Sequence, residues 1–234
     1  MTRRNWNRFA VLFIGISLNT LCYANVKDGF YAGAGIGGSF DRFKLTTQSP
    51  VTGFTIYSPP QNESTFMGDV FLGYGGTSMH GFYLGAELGT YFPQRTGTVK
   101  NRPGVTLSQT RFTNIMRIRD YLTADLLPGY RFNQQWLVRA RLGAAYANSK
   151  FRQLATASSS QTDNQEKIVG GRIGAGIDFA YTNQLSIGID YFHTQYREMS
   201  TVSAHPFNTR FRQKVSSNFV GVSASYTFAE KFSK

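Results

Sequence analysis

The sequence contains one cysteine, Cys22. It sits where an export leader would be cut away, so the mature chain is expected to hold no internal disulfide. No run of about 20 apolar residues, the length of a helical membrane span, occurs anywhere. The most apolar stretch, Phe9 to Leu18, is too short for one. Behind the basic residues Arg3, Arg4 and Arg8 and ahead of Cys22-Tyr23-Ala24, it reads as a secretory signal peptide over residues 1–24. The 3.6-residue repeat of an amphipathic helix is missing from the remainder. Charge is sparse, with Asp, Glu, Lys and Arg together at 16% of the chain. Lysine is absent from every segment of regular alternation described below, which argues against a surface that water must solvate along its length.

What the sequence does contain is glycine (24), phenylalanine (20), tyrosine (13) and strict period-two alternation. Residues 185–191 show the pattern: Leu185, Ile187, Ile189 and Tyr191 alternate with Ser186, Gly188 and Asp190. Such spacing places one apolar and one polar row on the two faces of a strand. Eight segments repeat it, at residues 30–40, 66–75, 81–92, 115–132, 136–147, 168–181, 185–196 and 217–228. Short turns (75–80, 133–135, 182–184) alternate with long polar loops (41–65, 93–114, 148–167, 197–214). Short turns join antiparallel neighbours. The expected fold is therefore all-β, an eight-stranded antiparallel up-and-down transmembrane barrel filling residues 25–234. Its short turns would lie on the periplasmic side and its long loops outside the cell.

The apolar row is assigned to lipid and the polar row to the lumen. A ligand-binding barrel of the lipocalin kind would reverse these sides and dot its outer face with lysine and glutamate. Small residues suit the narrow interior of eight strands, and inward parity nearly balances the charge. Asp69, Glu87, Asp125, Asp178 and Asp190 are expected to face Arg117, Arg119, Arg131, Arg139, Arg141 and Arg172 as a paired lumen network. Asp120 is the one charge on an apolar face, and it is placed beyond the membrane. Aromatic residues fall in two groups that match interfacial girdles. Phe30, Tyr74, Phe82, Tyr130, Phe132, Trp136, Tyr181, Tyr226 and Phe228 lie at the turn end; Phe40, Phe66, Phe92, Tyr146 and Phe219 lie at the loop end.

The stretches GFYAGAGIG, LLPGYRFNQQWLVRARLGAAY, GAGIDFAYTNQLSIGIDY and FVGVSASYTF together resemble the outer-membrane β-barrel family of OmpA/OmpX-type and opacity-like proteins. The resemblance implies a small barrel of the Gram-negative outer membrane. This chain departs from it where AEKFSK follows Phe228, since such barrels commonly end on an aromatic residue.

Motifs for other chemistry fail on context. Gly33, Gly35 and Gly38 match GxGxxG, but no helix follows to bind a dinucleotide. His80, His193 and His205 have no metal-ligand spacing, so neither a metal nor a cofactor is expected. His193 with Ser200 or Ser203 could imitate a lipid A-modifying barrel enzyme, yet no acid is placed to orient the histidine. The expectation is a non-enzyme.

Charge carries the functional signal. The formal charge of +12 falls by three with the leader. Most of the remainder lies in two loops: Arg95, Lys100, Arg102 and Arg111 in 93–114, and Arg197, Arg210, Arg212 and Lys214 against Glu198 in 197–214. Arg95, Lys100, Arg102, Arg111, Arg210, Arg212 and Lys214 form the candidate extracellular basic patch. Such a field attracts polyanions. The expected role is structural or surface-interactive, with outer-membrane lipid, lipopolysaccharide and acidic host surface ligands as partners. A small low-conductance pore is the other alternative. Nucleic acid is excluded for want of a stacking platform, and the barrel is expected to be monomeric.

Overall fold

The computed structural model describes residues 27–48, 55–100, 112–155, 161–202 and 210–228. Eight long strands form the wall: β1 (Gly29–Gln48), β3 (Gln61–Thr77), β4 (Phe82–Phe92), β6 (Phe112–Arg131), β7 (Trp136–Ala155), β8 (Gln161–Ala180), β9 (Leu185–Tyr196) and β11 (Arg210–Thr227). Three short strands, β2 (Thr55–Tyr57), β5 (Arg95–Lys100) and β10 (Met199–Val202), attach to β1, β6 and β11. Every long strand pairs antiparallel with its sequence neighbour, and β1 pairs with β11 from Tyr31↔Thr227 to Gln48↔Arg210, closing the ring. Closure satisfies the backbone polar groups that hydrocarbon cannot. The tight turns are built locally: Asn133 Oδ1 accepts from the amides of Gln135 and Trp136, and Thr182 Oγ1 from that of Leu185.

The expected faces hold through the membrane band. Leu72, Leu84, Leu126, Leu142, Ile173, Ile187, Ile189 and Val222 are exposed, while Arg139, Arg141, Asp178 and Asp190 are buried. All nine aromatics of the turn-end girdle are exposed on the outer wall, as are Phe40, Phe66, Phe92 and Tyr146 at the other end. Phe219 is not; it is 4% exposed and packs inside against Phe192 and Tyr91. Its neighbour Val220 faces lipid, so parity turns Phe219 inward. We expect the protein in isolated outer membranes to migrate differently on SDS gels before and after boiling. Identical mobility would count against a closed barrel.

The strands run further than the alternating segments. Strands β1, β6, β7 and β8 have 20 residues each, about 66 Å at strand rise, whereas a membrane crossing takes about 9–11. Much of the sequence expected to form loops is therefore wall. This collar was hidden because its inward residues are apolar and its outward ones polar, so a search for apolar outer faces stops at the girdle. Phe43, Leu45, Met116, Ile118, Phe151, Ile168, Met199, Phe211 and Val215 fill it as a buried cluster.

One irregularity decides several assignments. In β6 the register with β7 shifts between Asp120 and Leu122, a bulge at Tyr121. One extra residue in a period-two strand reverses the faces beyond it. Below the bulge Thr123, Asp125 and Leu127 point inward; above it Asn114, Met116, Ile118 and Asp120 do. Arg117 and Arg119, expected in the lumen, are therefore exposed on the outer wall, and Asp120 is buried inside.

Candidate functional site

The interior is stacked in layers. Lowest, Tyr83, Leu127, Leu137 and Ala180 form a small apolar floor. Above it Asp69, Glu87, Asp125, Asp178, Asp190, Arg139, Arg141 and Arg172 of the expected eleven come together, joined by one residue that was not expected. Arg141 reaches Asp125 at 2.6 Å, Glu87 at 2.8 Å and Asp190 at 3.4 Å. Arg139 bonds Asp178 and lies 2.9 Å from Asp190, and Arg172 lies 3.2 Å from Asp125. The addition is Lys27, fully buried just ahead of β1, with Nζ 3.2 Å from Asp178 and 3.8 Å from Glu87. Parity counting had no means to find it, because Lys27 belongs to no strand and enters the lumen from below. Asp69 lines a void of only about 10 Å³ with Tyr91, Arg141 and Asp190, room for about one water. Arg131 stands apart from the network, at the turn end, 3.1 Å from Asp28 and bonded to Thr77.

Glycines make this density reachable. A Cβ on Gly143 would meet Asp125 Oδ1 at 2.1 Å and the Ala124 carbonyl at 2.2 Å. Arg172 leads to the next layer: its guanidinium lies 4.1 Å from the Phe192 ring centroid and donates to Tyr91 Oη at 3.0 Å. Such stacking suits a planar, weakly hydrated cation. Tyr91, Phe192, Phe219 and Met67 close this level.

A second ion cluster follows. Arg95, on β5, donates to Asp41 of β1 at 3.0 Å, Asp120 of β6 at 2.8 Å and Tyr196 Oη of β9 at 2.7 Å, and Tyr196 itself donates to Asp120. Arg95 is 2% exposed, so it leaves the candidate extracellular patch: β5 pairs with β6 and turns this side chain into the barrel. Burial works against its charge, yet Asp120, Tyr196 and Asp41 together hold its pKa well above that of an ordinary arginine. Sequence gave one clue, the misfit Asp120.

Of the remaining patch, Arg210, Arg212 and Lys214 face outward on β11, with Arg212 3.7 Å from Glu198. Lys100 ends β5; Arg102 and Arg111 lie outside the described residues. On β1, Arg42 and Lys44 face outward beside β11, Lys44 directly opposite Lys214. His193 also faces outward, its Nδ1 2.9 Å from Asn218 Oδ1 and not against an acid. Ser200 is exposed on β10, and Ser203 and His205 lie outside the described residues. Among the described residues no group of three His, Cys, Asp or Glu could hold a metal.

The chain is similar to OprG of Pseudomonas aeruginosa (14% identity, 88% of this chain and 100% of that one, TM-score 0.54). It is also similar to the outer membrane protease OmpT of Escherichia coli (7% identity, 87% and 98%, TM-score 0.55). A third is Ail, the attachment invasion locus protein of Yersinia pestis, in complex with the heparin analogue sucrose octasulfate (11% identity, 84% and 99%, TM-score 0.40). For OprG and OmpT the likeness, at such identities, shows the fold alone. A search of curated protein sequences finds no match. The model of the outer membrane protein beta-barrel domain matches residues 9–228. With its ring of strands, lipid-facing apolar band and paired lumen, this chain belongs to the outer membrane β-barrel family.

Proposed function

We propose that the protein is a non-enzymatic surface-interaction barrel whose top binds polyanions from outside the cell. The observation that supports this reading best is the outward row Arg210 and Arg212 at the open end of β11, opposite the uncharged Gln48 and Thr46 of β1. Glu198 is the one acid paired with that row among the described residues. Lys100 at the end of β5, with Arg102 and Arg111 in the sequence between β5 and β6, adds three cations. The interior argues against a pore: paired charges, an aromatic layer, a second ion cluster and an apolar collar succeed one another along it. The enzyme reading loses support because His193 faces outward with an amide, not an acid, as its partner.

Replacing Lys100, Arg102, Arg111, Arg210 and Arg212 by serine should abolish retention on heparin at low salt and leave the heat-dependent gel shift intact. Retention unchanged in a folded variant would refute the reading.

A further inference from the structure

On the outer wall, two pairs of cations stand directly opposite each other across neighbouring strands. Lys44 of β1 faces Lys214 of β11, and Arg117 of β6 faces Lys150 of β7. All four side chains are exposed, and among the described residues none makes an ion pair. Like charges directly opposite on one sheet face are destabilising, so each pair calls for a counter-charge from outside the chain.

The placement of the pairs identifies it. Lys44 is four residues beyond the girdle residue Phe40, and Lys150 four beyond Tyr146. That is about 13 Å along the strand, or about 10 Å of height at the tilt of such barrels. Both pairs thus sit at one level, just above hydrocarbon. Around the ring, four strands separate the β1/β11 seam from the β6/β7 seam in either direction. A further cationic tier lies between each pair and the girdle. Arg42 stands opposite Ser216 at one seam; Arg119 and Lys167 both stand opposite Asn148 at the other. The acids of the outer wall are engaged elsewhere, Asp163 with Arg152 at 3.0 Å and Glu198 with Arg212 at 3.7 Å. Glu166 stands opposite Ser149, whose side chain is buried inside.

We infer that the two pairs are seats for the phosphates of outer-leaflet lipopolysaccharide, one lipid on each side of the barrel. A lipid phosphate at this height would lie between the paired cations while its acyl chains run down past Phe40 or Tyr146. Basic side chains at a membrane surface gain affinity for anionic headgroups through this arrangement. The inference does not depend on heparin binding at the top, which uses Arg210 and Arg212, higher on the collar.

The test uses the full-length barrel in mild detergent, equilibrated with lipopolysaccharide or with the same material stripped of its lipid A phosphates. Bound lipid A per barrel is read by mass spectrometry. The native protein should hold about two, and the dephosphorylated material should be lost. K44Q/K214Q and R117Q/K150Q should each abolish one seat, with affinity there falling about tenfold or more. K44R/K214R should restore it, and the boiling-dependent gel shift reports folding for each variant. Equal retention of dephosphorylated lipid, or full occupancy in both folded glutamine variants, would overturn the inference. So would loss of heparin retention in K44Q/K214Q with lipid still bound, which would assign that pair to soluble polyanions.

Discussion

Arg141→Ala should destabilise the barrel by about 3–5 kcal/mol, because it removes one partner of a buried network and leaves the others charged. Three carboxylates, Asp125, Glu87 and Asp190, lie within 3.4 Å of this guanidinium. After its removal they share Arg172, Lys27 and Arg139, which already serve Tyr91 and Asp178. The measurement is the urea or temperature midpoint of the gel-mobility transition in detergent. Arg152→Ala is the reference. Its partner Asp163 is 3.0 Å away, but both side chains are more than 40% exposed, and a pair of that kind contributes about 0–1 kcal/mol. If the two variants unfold together, water reaches the lumen and the network is not the source of stability.

Arg95→Ala should rank next, at a similar scale of about 3–5 kcal/mol, and should show a different signature. One residue of a six-residue strand ties β5 to β1, β6 and β9 across the lumen. Its loss leaves Asp41 and Asp120 without their cation and releases β5 from the interior. The collar should then become sensitive to protease at β5 while the membrane band stays resistant. Asp41→Asn and Asp120→Asn, added to Arg95→Ala, should recover much of the stability, since neutral amides do not need the counter-charge. Failure of that rescue would place the effect in lost packing rather than in charge.

The sequence was most legible where lipid imposes a rule. Hydrocarbon outside and packed charge inside force strict alternation, so Arg139, Arg141, Arg172, Asp125, Asp178 and Asp190 could be placed by counting. The same counting misplaced Arg117 and Arg119, because period-two parity carries no memory of an inserted residue. The acid Asp120 on a supposed lipid face was the signal that the count had slipped. The collar escaped for a related reason. Above the membrane the wall meets water outside and Phe43, Phe151 and Phe211 inside, the reverse of the rule below, and that polarity reads as loop. For the candidate site, Arg210, Arg212 and Lys214 were legible as charge. Their pairing with β1, and the facing of Lys44 by Lys214, needed the closure between first and last strands. Lys27 and the inward turn of Arg95 depend on how chain outside the long strands folds back into the lumen, a long-range property that local pattern does not encode.

The bulge at Tyr121 also bears on how such a barrel can change over generations or be rebuilt by hand. It separates β6 into a lower section, whose inside-outside order is set by lipid, and an upper section with the opposite order. In β6 a graft from a bulge-free barrel cannot be joined at an arbitrary point. A cut below Tyr121 keeps the upper frame intact, whereas deleting that one residue would carry Arg117 and Arg119 into the core and expel Asp120 from it. Insertions and deletions near this point are therefore governed by parity: even-numbered changes preserve which residues the cell surface displays, and odd-numbered ones exchange them.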